Sequence, residues 1–258
     1  MKAYRLLLLF GFDPIKTVNS IKGIPYYFQN LILLKRQQKT AVKDFPFTSS
    51  YPCLGDRFLN SGNAKGHYFH QDLLIAKKIH QNKPKLHVDI GSRVDGFVAH
   101  VAAFRKIEVF DIRPLSIKIS NISFRQVDLM DSNVELLEYC DSLSTLHAIE
   151  HFGLGRYGDP INYDGYLLGL NNLYKILKKG GKLYLSVPIG PQRIEFDAHR
   201  IFSICYLLEL FQDKYHIDSF SYVDDAGDLH EDVQVNSKDK QDNFNCIYGC
   251  GIFEMTKI

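Results

Sequence analysis

The residues LHVDIGSRVDG at positions 86–96 decide the fold class of this chain. Its first five residues form a short, mostly apolar run that contains Asp89 and leads into Gly91. That pattern is typical of a buried strand that runs into a tight turn. Because glycine has no side chain, a ligand can approach the backbone closely there. The stretch therefore predicts a first strand with a ligand-binding turn at its carboxyl end.

Strand and helix patterns alternate along the rest of the chain. Further strands are predicted at residues 107–112, 123–127, 141–146, 182–188, 217–223 and 246–256. Helices are predicted at residues 70–80, 97–104, 134–139, 165–177 and 201–211. This alternation favours an α/β fold with a doubly wound, mostly parallel, seven-stranded sheet. We assign that domain to residues 70–258 and treat residues 1–69 as a partly helical N-terminal extension.

Acidic residues end the second and third predicted strands. Asp111 follows Gly91 by about twenty residues, where an acidic side chain can accept two hydrogen bonds from a ribose diol. Asp128 ends the third strand, where an adenine edge would lie. Ligands of open α/β sheets bind at the carboxyl ends of the strands. The predicted cofactor-binding residues are Asp89, Gly91, Ser92, Arg93, Asp111, Ile112, Asp128, Leu129 and Leu146.

From about residue 70 to the C-terminus, this series resembles the class I S-adenosylmethionine-dependent methyltransferases. Their first motif is hydrophobic-x-Asp-hydrophobic-Gly-x-Gly-x-Gly, and its first glycine matches Gly91. The second and third fall on Arg93 and Asp95, with Gly96 one position late. The variant Asp-hydrophobic-Gly-Ser-Arg-x-Asp-Gly is similar to a little-characterised branch of methyltransferase-like proteins associated with surface-glycan biosynthesis. The resemblance implies a Rossmann-like fold and S-adenosyl-L-methionine as cofactor.

Two later stretches strengthen the resemblance. LKKGGKL at residues 177–183 is similar to the junction between a helix and the fifth strand in that superfamily. Its lysines and glycines predict a basic last turn and a glycine cap for the preceding helix. GCGIFEM at residues 249–255 resembles the antiparallel last strand of these enzymes.

The catalytic candidates follow the fourth and fifth strands. In LHAIEHF, residues 146–152, a helix would place His147, Glu150 and His151 on one face beside the cofactor. His199 lies in EFDAHR, residues 195–200, which flanks the same mouth of the sheet. His151 or His199 can act as a general base, because histidine titrates near neutral pH. We predict His151, Glu150 and His199 as catalytic residues.

The first of these groups also resembles the Glu-x-x-Glu-His metal-binding motif of several O-methyltransferases. His147 falls on the first glutamate, Glu150 and His151 match directly, and His199 matches the later histidine of the small-RNA methyltransferases. The resemblance implies a divalent metal held by these four residues. Three histidines and one carboxylate suit Mn, Fe or Zn better than Mg. A metal, a general base without metal and a structural role remain alternatives for this group.

A glycine-rich stretch, GLGRYGDP at residues 153–160, lies between the two groups. It predicts either a substrate loop or a surface turn. As a substrate loop, it would use Arg156 to bind a phosphate or carboxylate and Tyr157 to stack on a sugar ring. Upstream, residues 68–72 either cover the cofactor or begin a packing helix.

Composition limits the partners and the compartment. The 258 residues carry a net charge of +2 with no concentrated basic stripe, so a nucleic-acid partner is not expected. Five irregularly spaced cysteines argue against a disulfide framework and favour a reducing cytoplasm. No apolar run reaches the roughly 20 residues of a membrane span. Residues 24–36 could form an interfacial anchor, but core packing is the preferred interpretation. The sequence does not indicate an oligomeric state.

These observations lead to one main function and two alternatives. The resemblance implies an S-adenosylmethionine-dependent methyltransferase, O-directed, acting on a sugar, a glycan or another polar small molecule. A catalytically inactive binding module is the first alternative, favoured by the departures at Arg93 and Asp95 and opposed by Asp111. A peripheral membrane protein acting on a lipid-linked glycan is the second.

Overall fold

A computed structural model describes residues 2–42, 45–131 and 136–258. The chain forms two compact units, Met1–Asn63 and Ala64–Ile258. The division lies a few residues before the predicted one. The second unit includes Gly66, whose N–H donates to the Gly227 carbonyl, and the helix that follows it.

The N-terminal unit contains helices α1 (Lys2–Leu9) and α2 (Pro14–Gln38) and a 3-10 turn at Asp56–Phe58. Asp13 caps α2 by accepting hydrogen bonds from the N–H groups of Ile15 and Lys16. In α2, Ile32, Leu33 and Leu34 are 52–55% exposed, so core packing of this stretch is not observed. Consecutive residues point to different sides of a helix, and the three side chains cannot share one buried face. Among the described helices, none combines the length and hydrophobicity needed to cross a bilayer.

The second unit alternates helices and strands. Its α-helices are α3 (His67–Asn82), α4 (Ala99–Ala102), α5 (Gly165–Ile176), α6 (Ile204–Phe211) and α7 (Ser237–Gln241). Its strands are β1 (His87–Ile90), β2 (Ile107–Asp111), β3 (Ile122–Gln126), β4 (Cys140–Leu146), β5 (Leu177–Ile189), β6 (Arg193–Glu195), β7 (His199–Ile201), β8 (Tyr215–Val223), β9 (Leu229–His230) and β10 (Gly249–Lys257).

Among the described residues, eight strands form one sheet in the order β3-β2-β1-β4-β5-β10-β8-β9. The strands from β3 to β5 are parallel, and β10 runs antiparallel between β5 and β8. The predicted fold class is confirmed. The two-residue strand β9 adds an eighth member, and the last strand lies inside the sheet next to β5. Strands β6 and β7 form a separate hairpin.

Two hydrophobic clusters cover the two faces of the sheet. Side chains of α3 and α4, including Ile75 and Val101, pack with Val109 of β2. Side chains of α5 and α6 pack with alternate residues of the central strands, including Val88 and Leu143. Successive residues of a strand point to opposite faces, so β2, β4, β5 and β10 contribute to both clusters.

Several predicted elements differ in detail. The helix predicted at 97–104 is a π-helical turn, Val94–Val98, followed by α4, because Gly96 has non-helical dihedral angles. Helix α5 ends at Ile176 in the extended residue Leu177, so the predicted glycine cap is wrong. Gly180 instead adopts a φ of +75° beside an irregularity in the pairing of β4 with β5. The helix predicted at 134–139 begins at residues that lie outside the described ranges.

The fully buried His87 of β1 makes the stability of this fold sensitive to acid. Burial lowers the pKa of His87 to about 3, and its ring nitrogens hydrogen-bond the hydroxyl groups of Ser142 and Ser144 at 2.7 and 3.2 Å. The unfolded chain therefore binds a proton near pH 6.5, while the folded chain does not until about pH 3. Above about pH 6.5 the folded state keeps the whole contribution of neutral His87 to its stability. This contribution is lost as the pH falls from about 6.5 towards 3.

We expect the free energy of unfolding to decline faster with acid in the wild type than in the non-titrating variant His87→Gln. The difference between the free energies of unfolding of the two proteins should change by about 1.4 kcal/mol per pH unit below about pH 6.5. Urea unfolding of both proteins between neutral and mildly acidic pH measures it. Parallel stability curves for the two proteins would contradict the assignment.

Candidate functional site

A cavity of about 330 Å³ lies at the carboxyl ends of β1, β2, β3 and β4. It is lined by most of the predicted cofactor-binding residues, namely Gly91, Arg93, Asp111, Ile112, Asp128, Leu129 and Leu146. Its volume is within the range of sites for small molecules and cofactors. The four strand ends therefore form one site, as ligand binding at the edge of an open α/β sheet requires.

Other lining residues were not predicted as ligand contacts. They include Phe110, Arg113, Val127, Met130, Ala148, Phe152 and Asp159. Tyr68 lies in the first turn of α3, whose later residues Gln71 and Asp72 are buried. The segment 68–72 thus begins a packing helix and also contributes to the cavity. An apolar residue such as Phe110 has no sequence pattern that distinguishes a cavity-lining residue from a residue of the hydrophobic core.

Asp89 and Ser92 do not line the cavity but organise the turn after β1. The Asp89 carboxylate accepts hydrogen bonds from the Ser92 N–H at 3.0 Å and the Ser92 hydroxyl at 2.7 Å. It also accepts one from the Ser144 hydroxyl of β4 at 2.5 Å. Burial raises the pKa of Asp89 to about 7, against the opposing effect of these hydrogen bonds. Its role in the structure is to position the turn, whereas a direct contact with a ligand was predicted.

Gly91 brings the turns after β1 and β4 into close contact. Its φ is +71°, a conformation that glycine adopts without steric cost. A Cβ atom at this position would lie 2.9 Å from the Ala148 Cβ, so a side chain cannot fit without movement. The glycine is therefore required both by the backbone conformation and by the neighbouring turn.

Asp111, at the end of β2, is paired with Arg113. Its Oδ1 accepts from the Arg113 Nε at 3.0 Å and its Oδ2 accepts from Nη2 at 2.6 Å. The Arg113 guanidinium also lies 4.4 Å from the centre of the Tyr157 ring. Oδ1 also accepts from the Arg113 main-chain N–H at 2.8 Å, so Oδ1 carries two hydrogen bonds and Oδ2 carries one. One lone-pair position, on Oδ2, remains for a ligand while this pair is closed.

The turn after β4 joins His147 and Glu150, but not through the predicted helix. His147 has a φ of +49°, and Ile149–His151 forms a single 3-10 turn. His147 Nδ1 nevertheless lies 2.7 Å from Glu150 Oε1. Burial opposes ionisation of Glu150, but the charge and hydrogen bond of His147 hold its pKa below the usual range. Burial alone would lower the pKa of His147, but Cys250 and Glu150 raise it to about 10.

His151 lines the cavity and has a defined tautomer. Its Nδ1 lies 2.7 Å from the Ala198 carbonyl oxygen, which can only accept a hydrogen bond. Nδ1 therefore carries the proton and Nε2 presents a lone pair. Burial lowers the pKa of His151, which keeps the ring neutral at physiological pH. These properties suit a proton acceptor.

The four predicted metal ligands do not form one ligand set. Glu150 Oε1 lies 3.8 Å from His151 Nε2 but is bound to His147 Nδ1 at 2.7 Å, and His151 Nδ1 is bound to the Ala198 carbonyl oxygen. His199 belongs to β7, stacks on Tyr248 and is not part of the cavity lining. Among the described residues, the group that could hold an ion is His67, His147 and Cys250, which shares only His147 with the predicted set.

The loop that follows contributes Arg156 and Tyr157 to the cavity, as the substrate-loop interpretation requires. Asp159 shapes this loop, because its carboxylate accepts hydrogen bonds from the N–H groups of Gly153, Gly155 and Tyr157. The Arg156 Nη1 donates to the Ala198 carbonyl at 3.0 Å. The loop is thus anchored to the residue that also orients His151.

Comparison with known proteins identifies the family. The model of the family described as Caenorhabditis protein of unknown function, DUF268, matches residues 103–248. The match spans more than half of the chain, and the chain belongs to this family. No curated protein matches the sequence significantly. The predicted relation to a surface-glycan branch is not supported by these comparisons.

Solved structures show the same fold at low sequence identity. The [4+2]-cyclase SpnF is 13% identical over 73% of this chain and 80% of its own, with a TM-score of 0.51. The 1,6-didemethyltoxoflavin-N1-methyltransferase of Burkholderia thailandensis, solved with S-adenosylhomocysteine, is 12% identical over 73% and 80%, with a TM-score of 0.50. The protein MccD is 12% identical over 73% and 96%, with a TM-score of 0.50. The second unit therefore has the Rossmann-like methyltransferase fold.

The close contact at Gly91 can be tested by substitution. Gly91→Ala should destabilise the protein more than Gly180→Ala, because both glycines have a positive φ but only Gly91 has a neighbour within 4 Å. The backbone cost alone is about 1–2 kcal/mol in either variant. Adding Ala148→Gly to Gly91→Ala should recover the extra stability that Gly91→Ala loses relative to Gly180→Ala, because it removes the opposing Cβ. Chemical unfolding measures all three, and equal losses for the two single variants would contradict the contact.

Proposed function

We propose that the protein is an S-adenosylmethionine-dependent methyltransferase that transfers a methyl group to a hydroxyl oxygen of a small, polar, anionic molecule such as an acidic or phosphorylated sugar. The observation that carries this proposal is the cavity lined by Gly91, Asp111 and Asp128 at three successive strand ends of a methyltransferase-like sheet. The fold alone does not define the reaction, since one protein with a similar structure is a cyclase.

The cavity residues fit the chemistry of the cofactor. Gly91 leaves the backbone accessible, Asp111 can accept hydrogen bonds from ribose hydroxyls, and Asp128 lies one strand further along. Tyr68 adds an aromatic ring to the lining. When bound, S-adenosylmethionine supplies an electrophilic methyl group on a sulfonium centre.

His151 is the proposed general base. Its Nε2 presents a lone pair because Nδ1 is bound to the Ala198 carbonyl, and the ring lines the cavity. It can therefore accept the proton of a hydroxyl group at Nε2 as the oxygen becomes nucleophilic. Glu150, with Oε1 3.8 Å from this nitrogen, stabilises the imidazolium that forms. His199 does not line the cavity, and we retain it only as a neighbour of His151, with ring centres 6.3 Å apart.

Arg156 supports an anionic acceptor. Arg93 and Arg113 each pair with a carboxylate, whereas the Arg156 contact described above is with a neutral carbonyl group. Its charge is thus available for a phosphate or carboxylate group of the substrate. The Tyr157 ring, 5.2 Å from the Arg156 guanidinium, offers a flat surface for a sugar.

A non-catalytic binding module is the second candidate. The observation that favours it is the Arg113 guanidinium, which hydrogen-bonds both oxygens of Asp111. If that pair stays closed, ribose recognition is weakened. Binding of the cofactor product therefore has to be measured before activity.

We expect S-adenosylhomocysteine to bind in isothermal titration calorimetry. Asp111→Ala should weaken binding about 10- to 100-fold, because a hydrogen bond to a charged carboxylate is lost. Glu209→Ala, at an exposed carboxylate of α6, is the control and should leave binding unchanged. Absence of both heat and thermal stabilisation with millimolar ligand would refute the cofactor assignment.

The general base has its own signature. His151→Gln should lower kcat about 10²- to 10⁴-fold with an unchanged affinity for S-adenosylhomocysteine. The wild-type rate should fall only below pH 6.5, because the pKa of His151 is lowered by burial and the base must be neutral. Transfer of radiolabelled methyl groups to a panel of acidic and phosphorylated sugars measures both effects. The exposed His216→Gln is the control, and an undiminished kcat in His151→Gln would eliminate the assignment.

Arg156→Gln should raise KM for the acceptor at least tenfold and change kcat less, because the guanidinium binds ground state and transition state alike. The same assay, run at varied acceptor concentration, separates the two constants. A KM equal to that of the wild type would exclude Arg156 from acceptor binding.

A further inference from the structure

We propose that His67, His147 and Cys250 bind one zinc-type transition-metal ion beside the cavity. Each of these residues offers one ligand atom, and the three atoms lie within 4.8 Å of one another. This set differs from the one predicted from sequence, because His67 and Cys250 replace Glu150, His151 and His199. The proposal does not depend on methyl transfer.

The two histidine rings already face each other at a suitable distance. His67 Nδ1 and His147 Nε2 are 3.1 Å apart. Two nitrogen ligands at the usual zinc distance of about 2.0–2.1 Å are separated by about 3.3 Å in a tetrahedral site. Two ring nitrogens at such a distance need either one shared proton or one cation between them, since two lone pairs repel each other. The geometry is therefore compatible with a metal after small side-chain movements.

The groups behind the ligands match those of histidine–metal sites. The other ring nitrogen of His147, Nδ1, lies 2.7 Å from Glu150 Oε1, and Glu150 is 1% exposed. Metal-binding histidines characteristically donate their second N–H to a carboxylate or to a carbonyl group. The second oxygen of Glu150 is buried without a hydrogen-bond partner among the described residues.

The ligand types select the metal. Two imidazoles and one thiolate suit zinc and related ions, whereas magnesium and calcium prefer oxygen ligands. Three protein ligands leave a fourth position open, as in catalytic zinc sites. The cluster adjoins the cavity, because His147 lines it and Tyr68, another lining residue, packs on the His147 ring with ring centres 5.1 Å apart.

The competing interpretation is a hydrogen-bonded cluster. In that case a proton lies between the two histidines, and the Cys250 thiol donates to Gln71 Oε1, 3.7 Å away. The two interpretations differ in one respect that can be measured directly. Only a metal site forms a bond between the ion and sulfur.

The test uses the full-length protein purified without a histidine tag. Zinc is measured by elemental analysis, and cobalt(II) is added to the metal-free protein. We expect one equivalent of metal and a thiolate-to-cobalt charge-transfer band in the wild type. Cys250→Ser should abolish the band, while Cys246→Ser, a buried cysteine outside the cluster, should retain it. Glu150→Gln should weaken cobalt affinity about 10- to 100-fold without removing the band at saturation.

Each outcome decides the proposal. No uptake of zinc or cobalt by folded wild-type protein overturns it, and so does a charge-transfer band that survives Cys250→Ser. If Cys250→Ser fails to fold by circular dichroism, His67→Gln replaces it, because His67 is only partly buried and begins α3. Unchanged cobalt affinity and spectrum in folded His67→Gln would likewise refute the site. S-adenosylhomocysteine titration of the same samples is scored separately, so that failure of the metal site is distinguishable from failure of the proposed function.

Discussion

The buried carboxylate of Asp89 is the constraint on which the candidate site depends. It is inaccessible to solvent and accepts hydrogen bonds from Ser92 and from Ser144 of the adjacent strand. A buried acidic group is costly unless such partners are present. The same contacts tie β1 to β4 and define the path of the chain into Gly91. Gly91 and Arg93 of this turn line the cavity.

The turn after β4 packs against the turn that Asp89 organises. Ala148 packs against Gly91, and the flanking His147 adopts a left-handed conformation. His147 then meets Glu150 on one side and His67 on the other. His151, one turn later, faces the cavity. A short irregular turn thus separates two histidines into different environments, one beside a carboxylate and a thiol and one beside a carbonyl group.

Acidic and basic side chains meet in the cavity. Asp111 ends β2 and is paired with Arg113, whose guanidinium also lies 4.4 Å from the centre of the Tyr157 ring. Asp128 follows β3, and Arg156 lies in the loop after β4, which the Asp159 carboxylate holds through three main-chain N–H groups. The cavity thus offers both carboxylate and guanidinium groups to a ligand.

Local sequence determined the strands, the turn at Gly91 and the acidic strand ends. Apolar runs favour buried strands, glycine permits the turn, and each aspartate directly follows or ends its strand, so neighbouring residues alone carry these signals. It therefore predicted the α/β fold and seven of the nine predicted cofactor-binding residues in the cavity lining, together with His147, His151, Arg156 and Tyr157. It did not predict that Asp89 and Ser92 serve the turn, since that depends on Ser144, which is distant in sequence. Nor did it reveal the contact of His67, His147 and Cys250, which come from the start of α3, the turn after β4 and strand β10. Only the insertion of antiparallel β10 beside β5 brings these elements together, and such long-range pairing leaves no local pattern.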